Sequence, residues 1–243
     1  MYSIAIIQYL ERHGFEALIP KAVLFDMDGV LYDSMPNHAI AWKQSMAHFG
    51  IRMTEEDAYA TEGARGVDTI RQMVRRQQGR EIDEAEAQQM YDEKTRIFHE
   101  MPEPPVMPGV ISLMQHIREG GITCGVVTGS GQRPLIHRIL KDFGEFVDES
   151  HITTAYDVKQ GKPHPAPYLV GLKKAGNLSP WEAIVIENAP LGIRAGVAAK
   201  IFTIGVNTGP LPNEVLLNAG ANLLFPTMQD LSENWYNKDL NIL

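Results

Sequence analysis

Apolar positions along the chain follow two rhythms. Residues 3–13 alternate apolar and polar at near-helical spacing, with Ile4, Ile7 and Leu10 on one side. They predict a short amphipathic helix that covers the core. Four apolar residues, Ala22 to Phe25, then lead into Asp26, Asp28 and Gly29. A short apolar run bounded by a turn signal reads as a strand, over 22–26, buried on both faces. After Ser34 the period changes. Met35, Ala39, Trp42, Met46 and Phe49 recur at intervals of four and three, one face of a helix, and Gly50 supplies its stop. From there to Met101 the sequence is charged and helical. Thr54 with Glu55, Glu56 and Asp57 reads as a helix start, and a long run follows from Asp83 to His99. No strand pattern interrupts this stretch.

Pro102 to Pro108, with four prolines in seven residues, reads as a stiff return linker. Beyond it, strands and helices alternate. Helices are predicted at 109–119, 132–142, 166–175 and 190–199. Strands are predicted at ITCGVVT ending in Thr128, near Ile152, at AIVIE ending in Glu187, at 201–206 and at 223–225. This rhythm predicts an α/β protein: a Rossmann-like parallel sheet core, formed by 1–33 and 106–243, with an all-helical cap, 34–105, inserted after the first strand.

Composition narrows the partners. The chain has 243 residues, 44% hydrophobic and 21% charged, and a net charge of −8. That charge gives no support to a nucleic-acid or anionic-membrane surface. An anionic substrate must therefore meet local positive charge or a metal. Cys124 is the only cysteine and lies in an apolar run, so it reads as a buried small hydrophobe. The first residues lack a basic region and a cleavage site, and no stretch is long and apolar enough to span a membrane. A cytoplasmic protein, monomeric or weakly homo-oligomeric, is expected.

Three apolar strands end in reactive residues: Asp26-x-Asp28, Thr128-Gly129-Ser130 and Glu187-Asn188. A fourth feature, Gly161-Lys162-Pro163, lies in a loop. Strand ends of a parallel sheet share one edge, where ligands gather, so these residues would converge. Two of the three carboxylates placed ~4 Å apart repel by about 4 kcal/mol at an effective dielectric of 20. The cluster thus needs a cation, a protonated member, or both. Oxygen donors without a cysteine or histidine cluster favour Mg2+ over zinc. With Lys162 and the Thr128 hydroxyl, the set suits a phosphoryl group better than an acyl one. Asp26 can then attack phosphorus, while Asp28 protonates the leaving oxygen and later deprotonates water. That division requires Asp28 to have the higher pKa of the two. His38, on the first cap helix, either faces the substrate or packs at the hinge. His164 reads as solvated and Trp42 as core.

VLFDMDGVLYDS, VVTGS, KQGKPHPAPY and VIENAPLGIRAG, in this order over residues 21–225 and with a helical insert after the first, resemble the haloacid dehalogenase superfamily. The similarity is to its β-phosphoglucomutase-like branch. It implies Asp26 as nucleophile, Asp28 as general acid/base, and Thr128 and Lys162 as phosphate ligands. Mg2+ would be bound by Asp26, the Asp28 carbonyl, Glu187 and Asn188. The chain departs from the pattern twice. Asn188 stands where a second acid is usual, which removes one charge from the metal site. TEGARG stands at the cap motif, with Glu62 at the lysine position and Gly66 at the arginine position of sugar-phosphate mutases. These details, with YDEK around Tyr91 and TGSGQ, resemble the inorganic pyrophosphatase type within this branch. Glu62 and Tyr91 would restrict the space above the nucleophile, with Gly129 and Ser130 completing the substrate-binding set. A Mg2+-dependent phosphohydrolase acting on pyrophosphate is the first expectation. β-Phosphoglucomutase is the second, and a small sugar or polyol phosphatase the third. A non-catalytic phosphate-binding module is the alternative of another kind.

Overall fold

A six-stranded sheet carries the chain's chemistry on one edge. The computed structural model describes residues 2–130 and 133–236. Helix α1 (Tyr2–His13) precedes strand β1 (Ala22–Phe25). Helices α2 (Met35–His48), α3 (Glu55–Ala60), α4 (Gly66–Gln78) and α5 (Glu84–His99) follow without a strand. The alternation then resumes through α6 (Val110–Glu119), β2 (Thr123–Val127), α7 (Arg133–Phe143), β3 (Ile152–Thr153), α8 (Ala166–Lys174), β4 (Ala183–Glu187) and α9 (Pro190–Ala198). It ends with β5 (Phe202–Val206), α10 (Asn213–Asn218), β6 (Leu223–Phe225) and α11 (Met228–Asn234). The sheet order is β3-β2-β1-β4-β5-β6, and every neighbouring pair is parallel. The parallel Rossmann-like α/β architecture is therefore as expected.

All four residues of β1 are fully buried, because β1 is flanked by β2 and β4 and covered on both faces. Helices α2–α5 pack around their own apolar cluster, which includes Met35, Trp42, Met46, Tyr59, Ile70, Met73 and Met90. Two chain crossings join this insert to the core, and they run side by side. Asp33 N–H donates to the Pro105 carbonyl (3.0 Å), and Met107 N–H donates to the Leu31 carbonyl (2.8 Å). Thr54 caps α3 in a capping box with Asp57, and Gly50 follows α2 with φ +70°.

One sequence expectation changes. The apolar face of α1 is not the Ile4–Ile7 side, since these residues are 60% and 53% exposed. Tyr9 is the buried anchor instead: its hydroxyl donates to the Lys200 carbonyl, and its ring meets Phe202 edge-on. Helices α10 and α11 were not predicted. The predicted helix start at 132, and Gly131 and Gln132 of TGSGQ, lie outside the described residues. Among the described residues, no helix is long and apolar enough to cross a membrane. Cys124 is buried, and burial pushes its thiol up to about 12.

Candidate active site

Asp26, Thr128 and Glu187 stand at the carboxyl ends of three adjacent strands, β1, β2 and β4. The strand order reverses direction between β1 and β4, the position where such sheets bind ligands. Lys162 comes from the loop before α8. Its ammonium contacts Asp26 Oδ1 at 2.5 Å and Glu187 Oε1 at 2.7 Å, and donates to the Val127 carbonyl at 3.2 Å. Its side chain is 1% exposed. A buried ammonium shared by two carboxylates answers the repulsion expected from the sequence. Burial and the neighbouring Glu187 nonetheless push the Asp26 carboxyl well above its usual range, against the pull of Lys162.

Glu187 has little acceptor capacity left. Oε1 accepts from Lys162 and from the Tyr168 hydroxyl (2.9 Å), and Oε2 accepts from the N–H groups of Asn188 (2.9 Å) and Ala189 (3.0 Å). These contacts use its four acceptor directions.

Asp28 turns the other way, towards the cap. Its Oδ1 accepts from the Ser34 hydroxyl at 2.6 Å and meets His38 Nε2 at 3.2 Å. His38 Nδ1 lies 2.7 Å from the Lys94 ammonium, and the His38 ring stacks on Phe98. Lys94 is boxed by Trp42, Tyr91 and Phe98, with centroids 5.3, 5.8 and 4.9 Å from Nζ. Burial lowers Lys94 to about 8, although Glu62 and Asp28 pull it up. Burial would raise Asp28, but His38, Ser34 and Lys94 outweigh it and hold the carboxyl down at about 2. The order that acid–base work by Asp28 requires, with Asp28 above Asp26, is therefore reversed here. The cause is plain: the cations face Asp28, whereas Asp26 shares Lys162 with Glu187.

The cavity above these residues has a volume of about 110 Å3. Asp26, Asp28, His38, Glu62, Tyr91, Gly129 and Ser130 all line it, as does Lys94. Burial raises the Glu62 carboxyl, and Asp28 adds to this; Tyr91 is raised by burial and by Glu62. Thr128 is buried, and its hydroxyl accepts from the Ser130 N–H (3.0 Å). Gly66 lies beneath Tyr91: a Cβ there would stand 2.1 Å from Tyr91 Cε2. His38 thus lines the cavity beside Asp28. Trp42 is core and also part of the lysine box, and His164 is exposed.

Among the described residues, no group of three or more His, Cys, Asp or Glu could hold a metal ion. The donors are mixed instead. Asn188 Oδ1 is buried without a hydrogen-bond partner. Asn188 packs on Gly29, whose positive φ (+78°) and missing Cβ are both required: a Cβ would meet Asn188 Nδ2 at 1.9 Å. An orphaned amide oxygen beside the Asp26–Asp28 turn fits Mg2+.

Sequence reasoning missed Ser34, Lys94 and Tyr168. Ser34 closes the first motif. Lys94 sits on the buried stripe of α5 with Ala87, Met90 and Ile97, and a lone charge on such a stripe was the available signal. Tyr168 ends KPHPAPY and reads as ordinary core.

A strand-end carboxylate sharing a buried lysine, with a second carboxylate turned to the cap, fits a phosphatase or phosphotransferase. The chain belongs to the haloacid dehalogenase-like hydrolases: that family's model matches residues 23–206. Hexitol phosphatase A of Escherichia coli is 34% identical over 80% of this chain and 88% of its own length. β-Phosphoglucomutase of Bacillus subtilis is 26% identical over 90% and 95%. A solved structure from Bacteroides vulgatus, provisionally assigned as a β-phosphoglucomutase, is 49% identical. It covers 99% of this chain and 96% of its own, with a TM-score of 0.93.

Proposed function

We propose that this protein is a Mg2+-dependent phosphohydrolase working through an aspartyl phosphate on Asp26, with inorganic pyrophosphate or a similarly small phosphate ester as substrate. The cavity carries this reading. At about 110 Å3 it is well below the ~300–1,000 Å3 of pockets for drug-sized ligands, and Glu62 lies inside it.

A carboxylate oxygen of Asp26 forms the bond to phosphorus as the bond to the leaving oxygen breaks, and Asp28 delivers a proton to that oxygen. Asp28 then takes a proton from water, whose oxygen attacks phosphorus. Breaking the Asp26–phosphorus bond releases orthophosphate. An incoming polyanion beside Asp28 raises its pKa, because like charge disfavours the carboxylate. It thereby lets Asp28 act as the acid. Lys162 and the Thr128 hydroxyl hold the transferred group. The Asp26 carboxylate, the Asp28 carbonyl and Asn188 would hold Mg2+, with Glu187 beside them; the ion neutralises phosphoryl charge when bound.

A second reading, hydrolysis of a small sugar or polyol phosphate, is the one the relatives favour over pyrophosphate, since they include a hexitol phosphatase and a phosphatase of phosphorylated carbohydrates. Mutase activity fits less well. Gly66, packed under Tyr91, carries no arginine to hold a remote phosphate, and a side chain there would have to displace the Tyr91 ring. A phosphate-release screen with Mg2+ separates the readings. Pyrophosphate turned over faster than hexitol phosphates supports the first, and the reverse order supports the second. Glucose 6-phosphate formed from β-glucose 1-phosphate would support the mutase.

A further inference from the structure

Arg138, on core helix α7, grips both crossings between core and cap. Its guanidinium lies 4.1 Å over the Tyr32 ring, on the outgoing side. Nη2 donates to the Pro104 carbonyl, on the returning side. Nε pairs with Asp142 at 3.4 Å, and Asp142 accepts from the Tyr32 hydroxyl at 3.1 Å. Pro104 has no N–H, so its carbonyl is the main-chain handle the linker offers there. The Arg138 side chain is only 18% exposed, a burial the stacking and the Asp142 pair sustain. Arg138, Tyr32, Pro104 and Leu135 also line the cavity that holds Asp26 and Asp28. The hinge clamp is thus a wall of the active site.

We infer that Arg138 is a specificity-determining positioning residue. By fixing Pro104 against Tyr32 it sets the size of leaving group that fits beside Asp28. Releasing the clamp lets the return linker move and lengthens the cavity. The inference rests on the phosphohydrolase reading, and holds whether the preferred substrate is pyrophosphate or a small ester.

The test compares kcat/KM for a hexitol phosphate and for pyrophosphate in Arg138→Ala, Arg138→Lys and Asp142→Asn. The ratio of the larger to the smaller substrate is expected to rise about tenfold in Arg138→Ala. A smaller rise is expected in Asp142→Asn. Arg138→Lys should resemble Arg138→Ala, because lysine keeps the charge but loses the fork and the stacking. Both substrates falling by one common factor would mean a merely structural role and overturn the inference. Hydrogen exchange gives a readout independent of turnover. The Asp33 amide, bonded to the Pro105 carbonyl, should exchange faster in Arg138→Ala. An unchanged rate overturns the inference, even if the wild type proves inactive on both substrates and the phosphohydrolase reading itself fails.

Discussion

At the scale of residues, two buried lysines divide the labour. Lys162 is the fixed cation of the core, held by Asp26 and Glu187. Lys94 is the cation of the cap, and burial has lowered it to about 8 from 10.5. Between these values the unfolded chain keeps a proton that the folded chain has lost, so folding stability rises with pH across that window. Below it, the full cost of burying the charge applies. Lys94→Met should therefore gain thermal stability over the wild type at pH 7, and the gain should shrink as pH approaches 10. Melting curves across that range check the sign. In the wild type, kcat/KM should fall above pH 8, as the cavity loses a cation that faces an anionic substrate. Asn188 allows a second test. Asn188→Asp restores a negative charge beside the Asp26–Asp28 turn and should tighten Mg2+ about tenfold in a metal titration; unchanged affinity would exclude Asn188 as a ligand. The sequence showed Asp26, Asp28, Thr128, Lys162 and Glu187 because each follows a recognisable strand or motif. It hid Ser34, Lys94 and Tyr168, whose roles depend on which way a side chain points. The pKa order of the two aspartates was not legible for the same reason: His38 and Lys94 reach Asp28 from the cap, and spacing does not record that approach.

At the scale of elements, the cap is built to bring α4 and α5 close. The first residue of α4, Gly66, receives the Tyr91 ring of α5. Gly66→Ala would drive a Cβ into that ring and displace it from the cavity wall. Since misplacement by ~1 Å can cost about 100-fold, kcat/KM should drop by one to two orders of magnitude, with the core intact. An unaffected kcat/KM would show that Tyr91 does not shape the cavity. Long elements were legible: α2, α5 and the strands carry full periods of apolar residues. Helices α10 and α11, of 6 and 7 residues, are shorter than the ~11-residue window in which helical periodicity can be read. In α1 the periodicity was real but the face was wrong. Tyr9, aromatic with a polar tip, outweighs two isoleucines because its hydroxyl also finds the Lys200 carbonyl.

At the scale of the whole molecule, one chain reversal assembles the site. Strands β2 and β4 lie on opposite sides of β1, so their ends place Thr128 and Glu187 on either side of Asp26. Lys162 closes the gap from a later loop. The insert after β1 then brings Glu62, His38, Tyr91 and Lys94 over the same point. This convergence was legible because a parallel sheet dictates which strand ends meet. The cavity and the contacts of Arg138 were not legible, since they depend on how the insert packs on the core. The account stands on Asp26 as the atom that forms the covalent bond. The most direct measurement is Mg2+-dependent phosphate release by Asp26→Asn beside the wild type, with circular dichroism to show that the variant folds. A folded variant whose release falls by about a thousandfold or more is the expected result. A folded variant that keeps a tenth or more of the wild-type rate would contradict it.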